Sequence, residues 1–176
     1  MTGAGDGVPL HNQRRPAHSA RTSLATRRST VLAFDFGERY VGVAVGELGT
    51  GLANPLTYIE GAANAVRFAG IEALIAEWQP GTLVLGLPLS MDGGEHELTR
   101  RVRRFARQLE GRFDLPVVLV DERLSSAAAE DLLREMGRGG REHKNDSHAL
   151  AAQIILQAWL DEQRAAAPGA AGQGDA

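Results

Sequence analysis

Between residues 30 and 164 the chain is built of short apolar runs and amphipathic stretches that alternate. Residues 31–36 form an apolar run and predict a strand. Residues 40–46 alternate small and β-branched side chains, which predicts a second strand paired with the first through the turn at 37–39. A third strand is expected near 52–59. Residues 62–78 have a helical period, with Val66, Ala69, Ala73 and Ala76 on one stripe. Residues 82–87 are continuously apolar between Pro80-Gly81 and Pro88, the pattern of a strand buried on both faces. Residues 95–110 place Leu98, Val102, Phe105 and Leu109 at i, i+4, i+7 and i+11, and predict an amphipathic helix. A further buried strand is expected at 116–120, with helices at 126–136 and 147–164.

Three strands followed by helix, strand, helix, strand and two helices predict an α/β fold, a mixed five-stranded sheet with helices on both faces. The later strands need crossover connections and so run parallel beside the first. In such sheets ligands gather at the carboxyl ends of strands.

The flanks carry no sustained apolar period. Residues 1–29 hold Arg14, Arg15, Arg21, Arg27 and Arg28 against one acid, Asp6, and are expected to be a disordered basic extension; they resemble an organellar transit peptide in composition. Residues 165–176 read as a disordered Ala/Gly tail, which leaves 30–164 as the folded domain.

Composition narrows the classes. There is no cysteine, so disulfide frameworks, thiolate zinc and a cysteine nucleophile are excluded. No apolar run approaches the roughly 20 residues of a membrane helix, so a soluble chain without a membrane partner is expected. The net charge of −3 is uneven: the first 29 residues carry +4 and the remainder −7. A nucleic-acid partner must therefore be met by local basic patches.

Three polar clusters interrupt this apolar pattern. Asp35 lies inside Val31-Leu-Ala-Phe-Asp-Phe-Gly37, where a carboxylate is expensive to bury unless something pairs with it. It either structures the turn at Gly37 or holds a metal or phosphate at the strand end. Asp121-Glu122-Arg123 closes the strand at 116–120; only alternate side chains share a face, so one of the two acids should point at a site, the alternative being a surface ion-pair cluster. Asn145-Asp146-Ser147-His148 opens the last helix. Asp146 suits an N-cap or first-turn position as well as a ligand role, and His148 shares the stripe of Ala152, Ile155 and Trp159. Two basic groups remain: the glycine-rich loop carrying Arg138, Arg141, His143 and Lys144, either suited to gripping phosphate or merely solvated, and the face of Arg100, Arg101, Arg103, Arg104 and Arg107, read as a solvated helix face in preference to a nucleic-acid contact.

Four segments together resemble the YqgF/RuvX family, relatives of the RuvC Holliday-junction resolvases. They are Phe34-Asp-Phe-Gly-Glu-Arg-Tyr-Val-Gly-Val-Ala44, Gly86-Leu-Pro-Leu-Ser-Met-Asp-Gly93, Asp121-Glu-Arg-Leu-Ser-Ser126, and Ala151-Ala-Gln-Ile-Ile-Leu-Gln157 followed by Trp159-Leu160. The resemblance covers about residues 31–160 and implies an RNase H-like fold. It further implies a metal-dependent nuclease of the bacterial cytoplasm that trims the 5′ end of precursor 16S ribosomal RNA. The acids it implies as catalytic and metal-ligating are Asp35 and Glu122. The family's third acid stands three residues before an Ala-Ala pair, where this chain has His148; Asp146 lies two residues earlier.

Carboxylates converging at one strand end repel each other unless a cation neutralises them. Oxygen ligands favour Mg²⁺, and an imidazole among them shifts the preference towards Mn²⁺. His148 or Asp146 is the expected third ligand, and Arg39, Arg123, Arg138, Arg141 and Lys144 the expected nucleic-acid contacts. Structured RNA or branched DNA is the expected substrate, handled by a monomer or homodimer. A resolvase acting on DNA junctions and a metal-free RNA-binding or transcription-associated module are the rival readings. An actin-like phosphotransferase would need two such domains, and the chain has length for one.

Overall fold

The computed structural model describes residues 28–124 and 141–167. Five strands form one sheet: β1 (Thr30–Phe36), β2 (Tyr40–Glu47), β3 (Leu52–Glu60), β4 (Thr82–Leu87) and β5 (Val117–Asp121). Their order is β3-β2-β1-β4-β5. β1 and β2 pair antiparallel, as do β2 and β3, whereas β4 runs parallel to both β1 and β5. The expected mixed sheet is thus present.

The alternation of β1 decides which layer each side chain joins. Leu32, Phe34 and Phe36 enter a core with helix α1 (Asn64–Trp78) and helix α2 (Glu97–Phe113). Val31 and Ala33 enter a second core, on the opposite face, with Ala152, Ile155, Leu156, Trp159 and Leu160 of helix α3 (Arg141–Ala166). By the same alternation Asp35 faces the α3 side, where an apolar neighbour would otherwise be required. α3 is tied to edge strand β3 by two glutamines. Gln153 Nε2 donates to the Ala53 carbonyl (2.9 Å), and Gln157 accepts from the Ala53 N–H (3.0 Å) while donating to the Gly51 carbonyl (3.0 Å).

Two expectations are corrected. The α1 stripe is not Val66, Ala69, Ala73 and Ala76, all of which are exposed. Phe68 and Ile71 are buried, and Leu74, Ile75 and Trp78 pack behind them. Alanine removes little apolar area from water, so the larger side chains choose the buried face. The last helix begins at Arg141, not at residue 147. Asp146 is therefore inside the helix and caps nothing, and the expected basic loop ends in helix.

The helix expected at 126–136 lies outside the described residues, as does Arg138; for Arg141 and Lys144 the backbone alone is described. Among the described residues no helix is long and apolar enough to cross a membrane.

Candidate active site

Asp35 leaves the sheet one residue before the end of β1, and Glu122 follows β5 in a short 3-10 turn, Glu122–Leu124. β4 lies between these two strands. Glu122 reaches Asp35 across it because β4 carries glycine at the crossing. A Cβ on Gly86 would stand 2.6 Å from Glu122 Oε1 and 2.5 Å from Ile155 Cδ1 of α3. Any side chain there would push Glu122 away.

The two carboxyl groups are hydrogen bonded, with Glu122 donating and Asp35 accepting. Both keep an opening to solvent, yet protein atoms crowd the carboxyls themselves. Burial raises Asp35 from 3.8 to about 6, partly offset by the hydrogen bond from Glu122. Burial also raises Glu122, from 4.5 to about 7, and the negative charge of Asp35 raises it further. Among the described residues no cation opposes either shift. One proton shared between the two acids is the state this environment favours near neutrality.

Asp121 takes no part in that pair. Arg123 holds it from the other side, Nε donating to Oδ1 (3.0 Å) and Nη2 to Oδ2 (2.6 Å), which lowers the Asp121 carboxyl. One acid of the Asp121-Glu122 pair therefore faces the site and the other forms a surface ion pair, as alternation demands. Arg123 Nη1 also donates to the carbonyls of Ser90 and Met91, both at 3.4 Å, fixing the loop that follows β4. Arg39, the other expected phosphate contact, is exposed and bound to Glu60 at 2.8 Å.

The start of α3 arrives from the β2 side. Gly42 is the ladder partner of Asp35, and the His148 carbonyl occupies the space that a Cβ on Gly42 would need. The His148 ring stacks on Tyr40 (centroids 4.8 Å apart) and lies 6.5 Å from Tyr58. Burial lowers its pKa, so it is a neutral imidazole at pH 7. Asp146 points elsewhere: it lines a cavity of about 420 Å³ with Pro55, Tyr58 and Leu150, on the β3 side of the helix. Asp35 and Glu122 are brought together; His148 and Asp146 do not join them, and no cluster of three His, Asp or Glu side chains suited to a metal is present among the described residues.

A buried arginine completes the setting. Arg67 of α1 is 1% exposed. Its guanidinium donates to the carbonyls of Gly61 (2.8 Å), Gly37 (2.9 Å) and Glu38, and lies 4.5 Å from the Phe36 ring centroid. It thereby anchors the turn directly after Asp35. Sequence reasoning passed over it, although Arg67 stands at i, i+4, i+7 and i+11 with Ile71, Leu74 and Trp78. An arginine in register with that apolar stripe was the available signal.

Comparison with known proteins agrees with this architecture. Residues 29–162 match the RuvX family, described as Holliday junction resolvase. A "Putative pre-16S rRNA nuclease" of Methylobacillus flagellatus is 55% identical over 137 residues, covering 78% of this chain and 94% of the relative. The protein of the same name from Thiobacillus denitrificans is 52% identical over 139 residues, covering 79% of this chain and 96% of the relative. Among solved structures, Thermus thermophilus RuvC in complex with a Holliday junction substrate superposes with a TM-score of 0.55 at 16% identity, covering 78% of this chain and 96% of RuvC. At that identity the likeness concerns the fold.

Proposed function

The chain belongs to the RuvX family, and on that premise we propose that it is a divalent-metal-dependent endonuclease acting on structured RNA, the 5′ region of precursor 16S ribosomal RNA. Asp35 and Glu122 form its acidic centre. The observation that carries this reading is the approach of Glu122 to Asp35 across Gly86 at the carboxyl ends of β1 and β5, in surroundings that raise both carboxyls. Two carboxyls held in a poorly solvated site, with no neighbouring cation among the described residues, are the donor set a hard divalent ion displaces a proton from. The relatives' name supports the RNA substrate. Processing of ribosomal RNA would place the work in the cytoplasm.

Asp35 is the central ligand in this reading because it issues from the interior of the sheet, and Glu122 is the second. His148 rather than Asp146 is the third candidate, since its helical turn rests on Gly42 beside Asp35. A bound divalent ion would supply Lewis-acid activation of water and charge neutralisation at the scissile phosphate. The chain's own groups supply position. Arg67 fixes the backbone after Asp35, Gly86 leaves Glu122 its path, and Arg123 sets the loop 88–94 beside the centre. Arg39 and Arg123, each now held by a neighbouring carboxylate, contribute backbone contacts that orient a strand without reading its sequence.

A second reading is favoured by the family description and the fold: resolution of branched DNA junctions. Fold alone does not fix substrate. The deciding experiment is cleavage of precursor ribosomal RNA and four-way DNA junctions side by side, in Mg²⁺ and in Mn²⁺. RNA cleavage by a monomer supports the proposal. Symmetric junction cleavage by a dimer, without RNA cleavage, replaces it with the second reading. Calorimetry showing that neither ion binds would leave the metal-free RNA-binding module.

A further inference from the structure

Asp35 and Phe36 are consecutive in β1 and so face opposite sides of the sheet. On the Phe36 side, Arg101 and Arg104 of α2 converge with Asn64, Phe105 and Gln108 around a cavity of about 230 Å³ that Phe36 also lines. Arg101 has a single carboxylate near it among the described residues: Glu38, at 3.5 Å, whose side chain is 85% exposed. Arg104 is exposed and has no ion pair or hydrogen bond among the described residues. Arg103, by contrast, is held by Glu95 at 2.6 Å. A third guanidinium, that of Arg67, lies behind Phe36, and its pKa is lowered by burial and then by the charge of Arg101.

Two guanidiniums, Arg101 and Arg104, therefore border a space large enough for a phosphate and flanked by two amides, with one solvated carboxylate near them among the described residues and the buried charge of Arg67 behind Phe36. Such an arrangement repels itself unless an anion enters, and a guanidinium fork matches phosphate oxygens. Its location identifies the anion as part of a chain. Phe36, which lines the cavity, directly follows Asp35 at the end of β1 where the turn 37–39 begins, and the Arg101–Glu38 contact bridges that turn to α2. A polyanion with regularly spaced phosphates can occupy both places at once.

We propose that Arg101 and Arg104 form a phosphate-backbone subsite for the nucleic-acid strand whose scissile bond lies at Asp35 and Glu122, the strand passing over the turn 37–39 from one face of the sheet to the other. This rests on the nuclease reading above for the position of the scissile bond.

The test uses fluorescein-labelled single-stranded RNAs of two lengths, about 4 and about 16 nucleotides. Anisotropy is read from 50 to 200 mM KCl, with the full-length protein carrying Asp35→Asn to prevent turnover. Adding Arg101→Gln and Arg104→Gln removes two phosphate contacts from the long RNA. The slope of log Kd against log salt should become shallower by about 1.4, with an affinity loss of roughly tenfold at 100 mM, while the short RNA binds as before. Arg104→Glu alone, at an exposed position with no described partner, should weaken the long RNA at least as much and guards against a folding defect in the double variant. An unchanged slope for the long RNA overturns the subsite. Equal weakening of both lengths also overturns it, because that marks a trap for any small anion. Cleavage by the chain with Asp35 restored separates the two ideas. A shallower slope in a protein that cuts neither RNA nor junctions sinks the nuclease reading alone, whereas robust cutting with an unchanged slope sinks the subsite alone.

Discussion

Glu122 donates a hydrogen bond to Asp35 across a strand that contributes no side chain at the crossing. The pairing couples the site's chemistry to the stability of the fold. Both carboxyls bind protons more tightly folded than unfolded, about 6 against 3.8 and about 7 against 4.5. The folded state thus holds more bound protons between about pH 4 and pH 7, and stability from the pair falls as pH rises through that window. The loss is of order 3 kcal/mol for each carboxyl, from shifts of this size at about 1.4 kcal/mol per unit. Urea denaturation of metal-free protein at pH 5 and pH 8 should show the wild type losing more stability than Glu122→Gln. Mg²⁺ at pH 8 should restore the wild type and not the variant. Identical pH dependence in the two proteins would mean that folding does not raise the Glu122 carboxyl.

Much of this site was legible before any coordinates, for physical reasons. Asp35 stood out because a carboxylate in an apolar strand needs a partner; alternation let only one of Asp121 and Glu122 face the site, and the resemblance to the YqgF/RuvX family singled out Glu122. What remained hidden depends on contacts distant in sequence. The register that places Gly42 beside Asp35, and the crossing of Glu122 over Gly86, arise from strand order, which local periodicity does not encode. The α1 stripe was misjudged because four small or medium side chains keep the same period as the larger residues that win the burial. Asp146 was misplaced because α3 begins further upstream, in a polar stretch without an apolar signal.

Gly86→Ala tests the crossing. The added methyl meets both Glu122 and Ile155, which should cost about 1–3 kcal/mol by overpacking. Displacement of Glu122 should reduce cleavage on the order of 100-fold, the scale of an ångström-sized misplacement. Denaturation and single-turnover cleavage measure the two effects. Wild-type activity in a destabilised variant would show that Glu122 need not hold this position.

Arg67→Leu removes the donor to three carbonyls while keeping an apolar stem. Buried acceptors left without partners cost about 1–3 kcal/mol each when water cannot reach them. A destabilisation within that range per carbonyl is expected, together with slower cleavage through a loosened turn after Asp35. Arg67→Lys should recover part of both, since one ammonium cannot serve all three carbonyls. Full stability in Arg67→Leu would show that water replaces the guanidinium.

Gly42→Ala probes the seat of α3. The new methyl would coincide with the His148 carbonyl, so the helix must shift or the strand must bend. A lower melting temperature is expected, with loss of the Tyr40–His148 stack visible as changed His148 ring signals by NMR. Unperturbed His148 signals would contradict the close approach.

The central claim is that Asp35 anchors a metal-dependent phosphodiester cleavage shared with Glu122. Single-turnover cleavage of precursor 16S ribosomal RNA in Mg²⁺, comparing the wild type with Asp35→Asn, tests it most directly. A fall on the order of 10³-fold or more, with an unchanged circular dichroism spectrum, is the predicted result. Metal-dependent cleavage that persists at the wild-type rate in the folded variant would contradict it.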